Sequence, residues 1–286
     1  MPNVTQLIRN VTQNKKVQRH IVEKDYALSY LLAAIAAVEV LNDNLVLKGG
    51  TALRKLYFPD YRFSEDLDYS TRVKGRIDQM DELMEVVIRL MSENLNKRGP
   101  FQILFEKLVL KQPHPGDQKA YIVRVQFPGQ SQPLCRLKVE ITVDEPILSP
   151  IENRSVFHGF TEDFHTQVPV YSLAEITAEK LRALLQSKAR LHERGWGASR
   201  VCRDYYDLWN LLQLPESKPP DLISLLENKC KTRNVSFKSP YDFISGDLIA
   251  VANSEWKQQL LPFVPSALPA NELLPQVQTL ILSIWR

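Results

Sequence analysis

Residues 45–70 read LVLKGGTALRKLYFPDYRFSEDLDYS, a segment with a glycine turn near its start and two aspartates near its end. The turn, Gly49-Gly50-Thr51, stands between a strand predicted at 45–47 and a helix predicted at 52–57. Because glycine has no side chain, backbone N–H groups at such a turn can approach an anion, and the helix N-terminus adds partial positive charge. The turn is therefore a candidate phosphate-binding element.

The two aspartates, Asp66 and Asp68, stand two residues apart in a strand predicted at 65–70. A period of two places both carboxylates on one face of the strand, while Leu67 points into the core. Glu65 falls on the opposite face and is left out of the candidate site. Because Mg²⁺ prefers hard oxygen ligands and keeps substrate phosphates in its shell, the aspartates and the turn together predict a site for a divalent metal and a triphosphate.

A third acid, Glu140, lies on the polar face of a strand predicted at 137–143. A glutamate in the middle of an apolar strand is unusual unless it is paired or bound to a metal. Two explanations stay open: Glu140 completes a two-metal site with the aspartates, or it forms a salt bridge with Lys138 on the same face. Taken singly, an Asp-x-Asp pair and a Gly-Gly turn are common structural features, and only their combination favours a functional site.

The hydrophobic periodicity divides the chain near residue 170. Before that point it predicts helices at 20–41 and 80–96 and alternating strands at 101–105, 121–127 and 137–143. After it, helices are predicted at 177–191 and 200–212, the first with Ser172 and Glu175 as a capping box. We therefore expect the α+β class: residues 1–170 form a mixed or antiparallel sheet flanked by helices, and residues 171–286 form a mainly helical domain.

Composition excludes several classes of protein. With 286 residues, 44% hydrophobic and 24% charged, the chain is neither disordered nor fibrous. The longest apolar run, residues 27–41, is too short to span a bilayer, and residues 1–16 lack the apolar region of a secretory signal. Three widely spaced cysteines show no metal-finger pattern, so we expect a cytoplasmic protein. The net charge of +3 identifies no partner.

Basic residues in two parts of the chain are candidates for an RNA-binding rim, although such charge runs are more often solvated faces. They are Lys15, Lys16, Arg19, Lys188, Arg190, Arg194, Arg200 and Arg203.

The ordered set of motifs resembles the AbiEii/AbiGii family of nucleotidyltransferase-like toxins from type IV toxin–antitoxin systems, within the polymerase-β-type nucleotidyltransferase superfamily. Gly50-Thr51 followed by Arg62-Phe63-Ser64-Glu65-Asp66-Leu67-Asp68 looks like the signature of that superfamily. Three further segments are similar to motifs of the toxin family: 23–26 (EKDY), 178–184 (AEKLRAL) and 203–208 (RDYYDL). The resemblance spans residues of roughly 20 to 212.

The resemblance implies a polymerase-β-type core followed by a helical C-terminal domain that contributes to the active site. It implies that Asp66, Asp68 and Glu140 bind Mg²⁺ or Mn²⁺ and that Lys180 neutralises charge on the β- or γ-phosphate. An acid of the last motif also acts, with Asp204 preferred and Asp207 second. The residues implied in binding the NTP are Gly49, Gly50, Thr51, Ser64, Lys180 and Arg203.

Alternatives remain for several of these residues. Lys180 is either a phosphate ligand or an ordinary helix lysine paired with a nearby acid. Arg203 and Asp207, four apart on a predicted helix, can pair with each other. The acidic and basic residues of the segment 23–25 either reach the site or fix the first helix against the sheet.

The function implied is a metal-dependent nucleotidyltransferase that moves NMP from an NTP to an acceptor hydroxyl and releases pyrophosphate. The family resemblance suggests the 3′ end of tRNA as acceptor, inhibition of translation as the toxic effect, and a cognate antitoxin as partner, with no membrane involved. Two other hypotheses stay open: nucleotidyl transfer to a protein or small molecule, and a non-catalytic NTP-binding module.

Overall fold

A computed structural model of the protein describes residues 3–72, 79–109 and 118–285. The chain divides into two compact units, the first made of Met1–Ile147 and Ile151–Val170, the second of Leu148–Pro150 and Tyr171–Arg286. In the ranges just given, no helix has the length and apolar character needed to cross a membrane.

In the first unit, the described residues form seven strands in one sheet. The strands are β1 (Leu45–Lys48), β2 (Asp66–Thr71), β3 (Gln102–Leu108), β4 (Gln118–Gln126), β5 (Cys135–Thr142), β6 (Glu152–Ser155) and β7 (Gln167–Val170). Their order is β3-β4-β5-β2-β1-β7-β6. β2 pairs antiparallel with β1 and parallel with β5, so the expected mixed sheet is confirmed.

The helices of the first unit pack against the sheet or against one another. They are α1 (Val4–Lys15), α2 (Arg19–Ala36), α3 (Glu39–Asn44), α4 (Gly49–Ala52), which continues into a π-helical turn (Leu53–Tyr57), and α5 (Met80–Asn96). α2 contacts α5, β5 and β7. The core of the sheet includes Leu67, Tyr69, Val139 and Ile141, all at most 1% exposed, because alternate residues of β2 and β5 point to the same side.

The second unit is helical where it is described. Its α-helices are α6 (Leu173–Arg194), α7 (Val201–Leu211), α8 (Leu222–Thr232), α9 (Gly246–Glu255) and α10 (Ala270–Ser283). α6 packs against α7 and α8, and α7 packs against α9 and α10. The Ser172 hydroxyl accepts the Glu175 N–H at 3.2 Å and caps α6.

The predicted elements differ from the structure in three ways. The helix predicted at 20–41 ends at Ala36 and resumes at Glu39, because Val38 takes an extended backbone. α1, β6 and β7 have no counterpart among the predictions. Only one half of the predicted capping box is used: the Glu175 carboxylate accepts from the N–H groups of Leu148 and Ser149 and pairs with the buried Lys229 ammonium.

Candidate active site

The glycine turn forms where β1 ends and α4 begins. Gly49 has φ of +74°, a left-handed conformation that side chains disfavour, so glycine suits this position. A Cβ on Gly49 would lie 2.9 Å from Asp68 Oδ2, and one on Gly50 would lie 2.6 Å from Arg62 Nη2 and 3.1 Å from Ser64 Oγ. The absence of side chains at both positions lets the Asp68, Arg62 and Ser64 side chains approach the backbone of the turn.

Thr51, the third residue of the turn, is buried, and its hydroxyl donates to the carbonyl oxygen of Asp66 at 2.5 Å. This contact ties the start of α4 to the start of β2. The phosphate contact predicted for the Thr51 hydroxyl stays a prediction.

The strand register brings the sequence-predicted acids of the first unit onto one face of the sheet. Asp66 and Asp68 are half-buried and flank the fully buried Leu67. Asp68 lies opposite Glu140 on β5 and opposite Lys48 on β1. Direct partners on neighbouring strands point to the same side, so a lysine and two carboxylates adjoin in the middle of the sheet.

Glu140 is also paired with a lysine. Its Oε1 lies 2.9 Å from Lys138 Nζ, which is the salt bridge that the sequence left open as an alternative. Both side chains are about one quarter exposed, so the pair lies on the polar face of the sheet and not in the core. In this arrangement Lys138 holds one of the two carboxylate oxygens that a metal would need.

A metal ion fits the donor chemistry of this face. Asp66 and Asp68 supply hard carboxylate oxygens, and Mg²⁺ is commonly held by one or two carboxylates with phosphates and water completing its shell. Across residues 3–72, 79–109 and 118–285, no group of three or more Asp, Glu, His or Cys side chains is arranged to hold a metal ion. The metal site predicted on Asp66, Asp68 and Glu140 stays a prediction.

Arg62 is a candidate residue that the sequence reasoning did not single out. It is buried, with 3% exposure, and its guanidinium lies beside Gly50, where it adds positive charge to the turn. The sequence alone does not show that Arg62 is buried. Its place within the RFSEDLD segment was the one signal available in the sequence.

Asp25, one of the charged residues of the segment 23–25, contacts the segment that follows the turn. Asp25 on α2 is buried and contacts Lys55 Nζ at 2.8 Å and Arg54 Nε at 3.2 Å. Burial alone would raise the pKa of Asp25, but the two adjacent cations outweigh it and hold the pKa below its usual value. Burial lowers the pKa of Lys55 to about 8, against the opposing effect of Asp25.

The other charged residues of the segment 23–25 also make contacts within the first unit. Glu23 accepts from Arg19 at 2.7 Å and from the Gln130 amide, and Lys24 pairs with Glu65 at 2.7 Å. Of the two explanations that the sequence left open, these contacts favour fixing α2 in place.

The predicted residues of the second unit form a cluster of their own. Lys180 on α6 pairs with Asp204 at 2.7 Å and with Asp207 at 2.8 Å, both on α7. Asp207 is fully buried, whereas Asp204 and Lys180 are about one sixth exposed. Both aspartates thus contact the same ammonium, and the geometry gives neither of them precedence. Arg203 donates to the carbonyl oxygen of Gln259 at 2.6 Å and lies over the Phe263 ring.

Comparison with known proteins adds an independent line of evidence. Residues 30–281 match the sequence model of a family described as nucleotidyl transferase AbiEii toxin, type IV TA system. No curated protein matches the chain by sequence. Among solved structures, the fold is similar to MenT4, a nucleotidyltransferase toxin from Mycobacterium tuberculosis H37Rv. The TM-score is 0.62 over 98% of this chain and 89% of that chain, and the 20% sequence identity limits this likeness to the fold.

Proposed function

The chain belongs to the AbiEii family of nucleotidyltransferase toxins of type IV toxin–antitoxin systems, and from this we propose that it transfers NMP from an NTP to the 3′ end of tRNA. The acceptor hydroxyl attacks the α-phosphorus in line, and pyrophosphate leaves. A tRNA altered at this end no longer serves translation, which is the proposed basis of toxicity. The site of action is the cytoplasm, and a cognate antitoxin is the partner that the family implies.

The observation that carries the proposal is the position of Asp66 and Asp68 beside the glycine turn. Asp68 Oδ2 lies 2.9 Å from the position of a Cβ on Gly49, and the Thr51 hydroxyl donates to the Asp66 carbonyl oxygen, so both aspartates adjoin the turn. Carboxylates beside a triphosphate would repel it unless a cation intervenes. This arrangement therefore supports a substrate that arrives with a divalent metal.

Each side chain of the first unit has a role in this proposal. The Gly49 and Gly50 backbone, Thr51 and Ser64 bind the triphosphate, and Arg62 neutralises part of its charge. Mg²⁺ or Mn²⁺, held by Asp66 and Asp68, would supply further charge neutralisation on the phosphates. Positioning and charge neutralisation of this kind account for most of the catalysis in phosphoryl transfer generally.

The roles of the remaining residues also stay part of the proposal. Glu140 accepts the proton of the attacking hydroxyl or completes a second metal site, either through Oε2 or after its Oε1 leaves Lys138. Lys180 neutralises charge on the β- or γ-phosphate, with Asp204 or Asp207 as its catalytic neighbour and Arg203 as a further NTP ligand.

The test is a transfer assay with each of the four α-³²P-labelled NTPs. Purified protein, Mg²⁺ and total RNA are incubated and resolved on a denaturing gel beside two variants, Asp66→Ala and Glu106→Ala. Glu106 is a matched control, because it is an exposed acid on the edge strand β3. We expect a labelled band at tRNA size with the wild type and Glu106→Ala, and at least about 100-fold less label with Asp66→Ala.

Other outcomes point to the other hypotheses. Label on a protein or on a small molecule would keep the chemistry and replace the acceptor. NTP binding without any label would favour the non-catalytic module, a hypothesis for which the Lys138–Glu140 ion pair is the one supporting observation. A folded Asp66→Ala variant with full activity would contradict the proposed site.

A further inference from the structure

One loop of the second unit exposes a tryptophan to solvent. Trp196 lies between α6 and α7 and is 67% exposed. Single exposed apolar side chains are common on protein surfaces and carry no meaning alone. The surroundings of Trp196 distinguish it, because its loop is fixed in shape and its neighbours are basic.

Hydrogen bonds fix the backbone on both sides of Trp196. The Gly195 N–H donates to the carbonyl oxygen of Leu191 at 2.8 Å, and the Gly197 carbonyl accepts from Arg190 Nε at 3.0 Å. Gly195 and Gly197 have φ of +74° and +98°, conformations that favour glycine. The next residue, Ala198, is buried and anchors the loop. The backbone that carries the Trp196 indole is therefore held in place on both sides.

The same segment carries an excess of positive charge. Residues 188–203 contain five Lys and Arg side chains and a single acid, Glu193. Arg190, Lys188 and Arg203 make contacts within their own unit, to Gly197, Asp242 and Gln259 respectively.

Two further arginines of this segment, Arg194 and Arg200, are exposed and stand two residues before and four residues after Trp196 in the sequence. Arg194 lies in the last turn of α6, and Arg200 immediately precedes α7.

We propose that this loop, with Trp196 as a stacking platform and Arg194 and Arg200 as phosphate ligands, binds single-stranded RNA. An unstacked base gains contact by lying on an indole ring, and arginines beside it match the adjacent phosphates. A protein partner could also pack against the indole, but it would need acidic side chains opposite the arginines, whereas every RNA carries phosphates. The inference rests on the proposed RNA acceptor and names the surface of the second unit that holds it.

The experiment measures RNA binding directly, without NTP and in EDTA, so that it does not depend on catalysis. A fluorescein-labelled single-stranded oligoribonucleotide of mixed sequence is titrated with the full chain, and anisotropy is recorded at several salt concentrations. The variants are Trp196→Ala, Trp196→Phe, Arg194→Ala and Tyr241→Ala. Tyr241 is the matched control, an aromatic side chain of the same unit with 66% exposure.

We expect Trp196→Ala to weaken binding about tenfold, since stacking on an aromatic ring contributes roughly 1–3 kcal/mol per base and 1.4 kcal/mol equals a factor of ten. Trp196→Phe should recover most of this loss, and Tyr241→Ala should change nothing. Arg194→Ala should lower the slope of log affinity against log salt by about 0.7, the value for one phosphate contact on a single strand.

Two results would overturn the inference. The first is unchanged RNA affinity in Trp196→Ala, which would leave a protein as the occupant of the loop. The second is equal loss in Trp196→Ala for single-stranded RNA and for a blunt RNA duplex, because paired bases do not offer a free ring face. Failure of the proposed function looks different: no NTP labels any RNA, while binding still depends on Trp196.

Discussion

Two features restrict which residue can replace Gly49: its backbone is left-handed, and the Asp68 carboxylate lies 2.9 Å from where a Cβ would be. Gly159 has nearly the same backbone, with φ of +78°, but a Cβ there would meet nothing within 4 Å. The two glycines therefore form a matched pair that separates backbone strain from disturbance of Asp68.

We predict that Gly49→Ala and Gly159→Ala lose similar stability, about 1–2 kcal/mol, because each forces alanine into a left-handed conformation. Only Gly49→Ala should lose activity, by about 100-fold in kcat/KM, since its methyl group displaces the Asp68 carboxylate. Urea denaturation and the transfer assay measure the two effects. Equal activity in the two variants would show that the position of Asp68 does not matter for transfer.

At the scale of elements, the contact of Asp25 with Lys55 and Arg54 joins helix α2 to the π-helical turn. Arg54 also donates to the carbonyl oxygens of Pro59 and Tyr61, and the Lys55 carbonyl accepts from the Phe157 N–H. Buried ions of this kind add little net stability as a set, but loss of one partner leaves the others uncompensated.

We predict that Asp25→Asn lowers the free energy of unfolding by about 3–5 kcal/mol at pH 7. The pKa of Asp25 is lowered in the folded protein, so its contribution is present above the unfolded pKa of about 3.9 and is lost as the pH falls through the folded pKa. The difference between wild type and variant should therefore shrink below about pH 4.

The control for this prediction is Asp60→Asn, which removes an ion pair with Lys15 at a side chain that is 82% exposed. It should cost less than about 1 kcal/mol. Urea denaturation at pH 7, 4 and 3 measures both variants, and a constant difference between wild type and Asp25→Asn across this range would argue against the ion cluster.

Sequence periodicity predicted the elements that are long or strongly patterned. α5 was predicted with its observed bounds, Met80–Asn96, and the Asp66–Leu67–Asp68 alternation on β2 agrees with the observed burial. β6 reads Glu-Asn-Arg-Ser and β7 contains a proline, so neither carries the apolar alternation of a strand.

The sequence predicted which residues of the candidate site stand close together along the chain, but not which distant residues they contact. The partners of Glu175 and Lys180 lie 24 to 54 residues away along the chain, and no local pattern encodes them. Glu175 illustrates this limit: the capping pattern around Ser172 is real, but a buried Lys229 attracts the carboxylate more strongly than one backbone N–H does.

We predict that the whole protein is toxic to a bacterial cell that lacks the antitoxin. Induced expression of the wild type in a bacterial host without the antitoxin should slow growth, and incorporation of labelled methionine should fall before incorporation of labelled uridine, because tRNA is the proposed target. Asp66→Ala should grow normally. A simultaneous fall in both incorporations would indicate a cause other than translation.

The strand order has a consequence for when this protein acquires its activity during synthesis. β2 lies between β1, which is synthesised just before it, and β5, which is synthesised some seventy residues later. Leu47 of β1 pairs with Val170 of β7, which is synthesised later still. Such distant pairings form slowly, because long loops must close first. A nascent chain therefore carries both aspartates well before it has the sheet that orients them. The candidate site is complete only when the chain has been synthesised past Val170, the residue of β7 that pairs with Leu47 of β1.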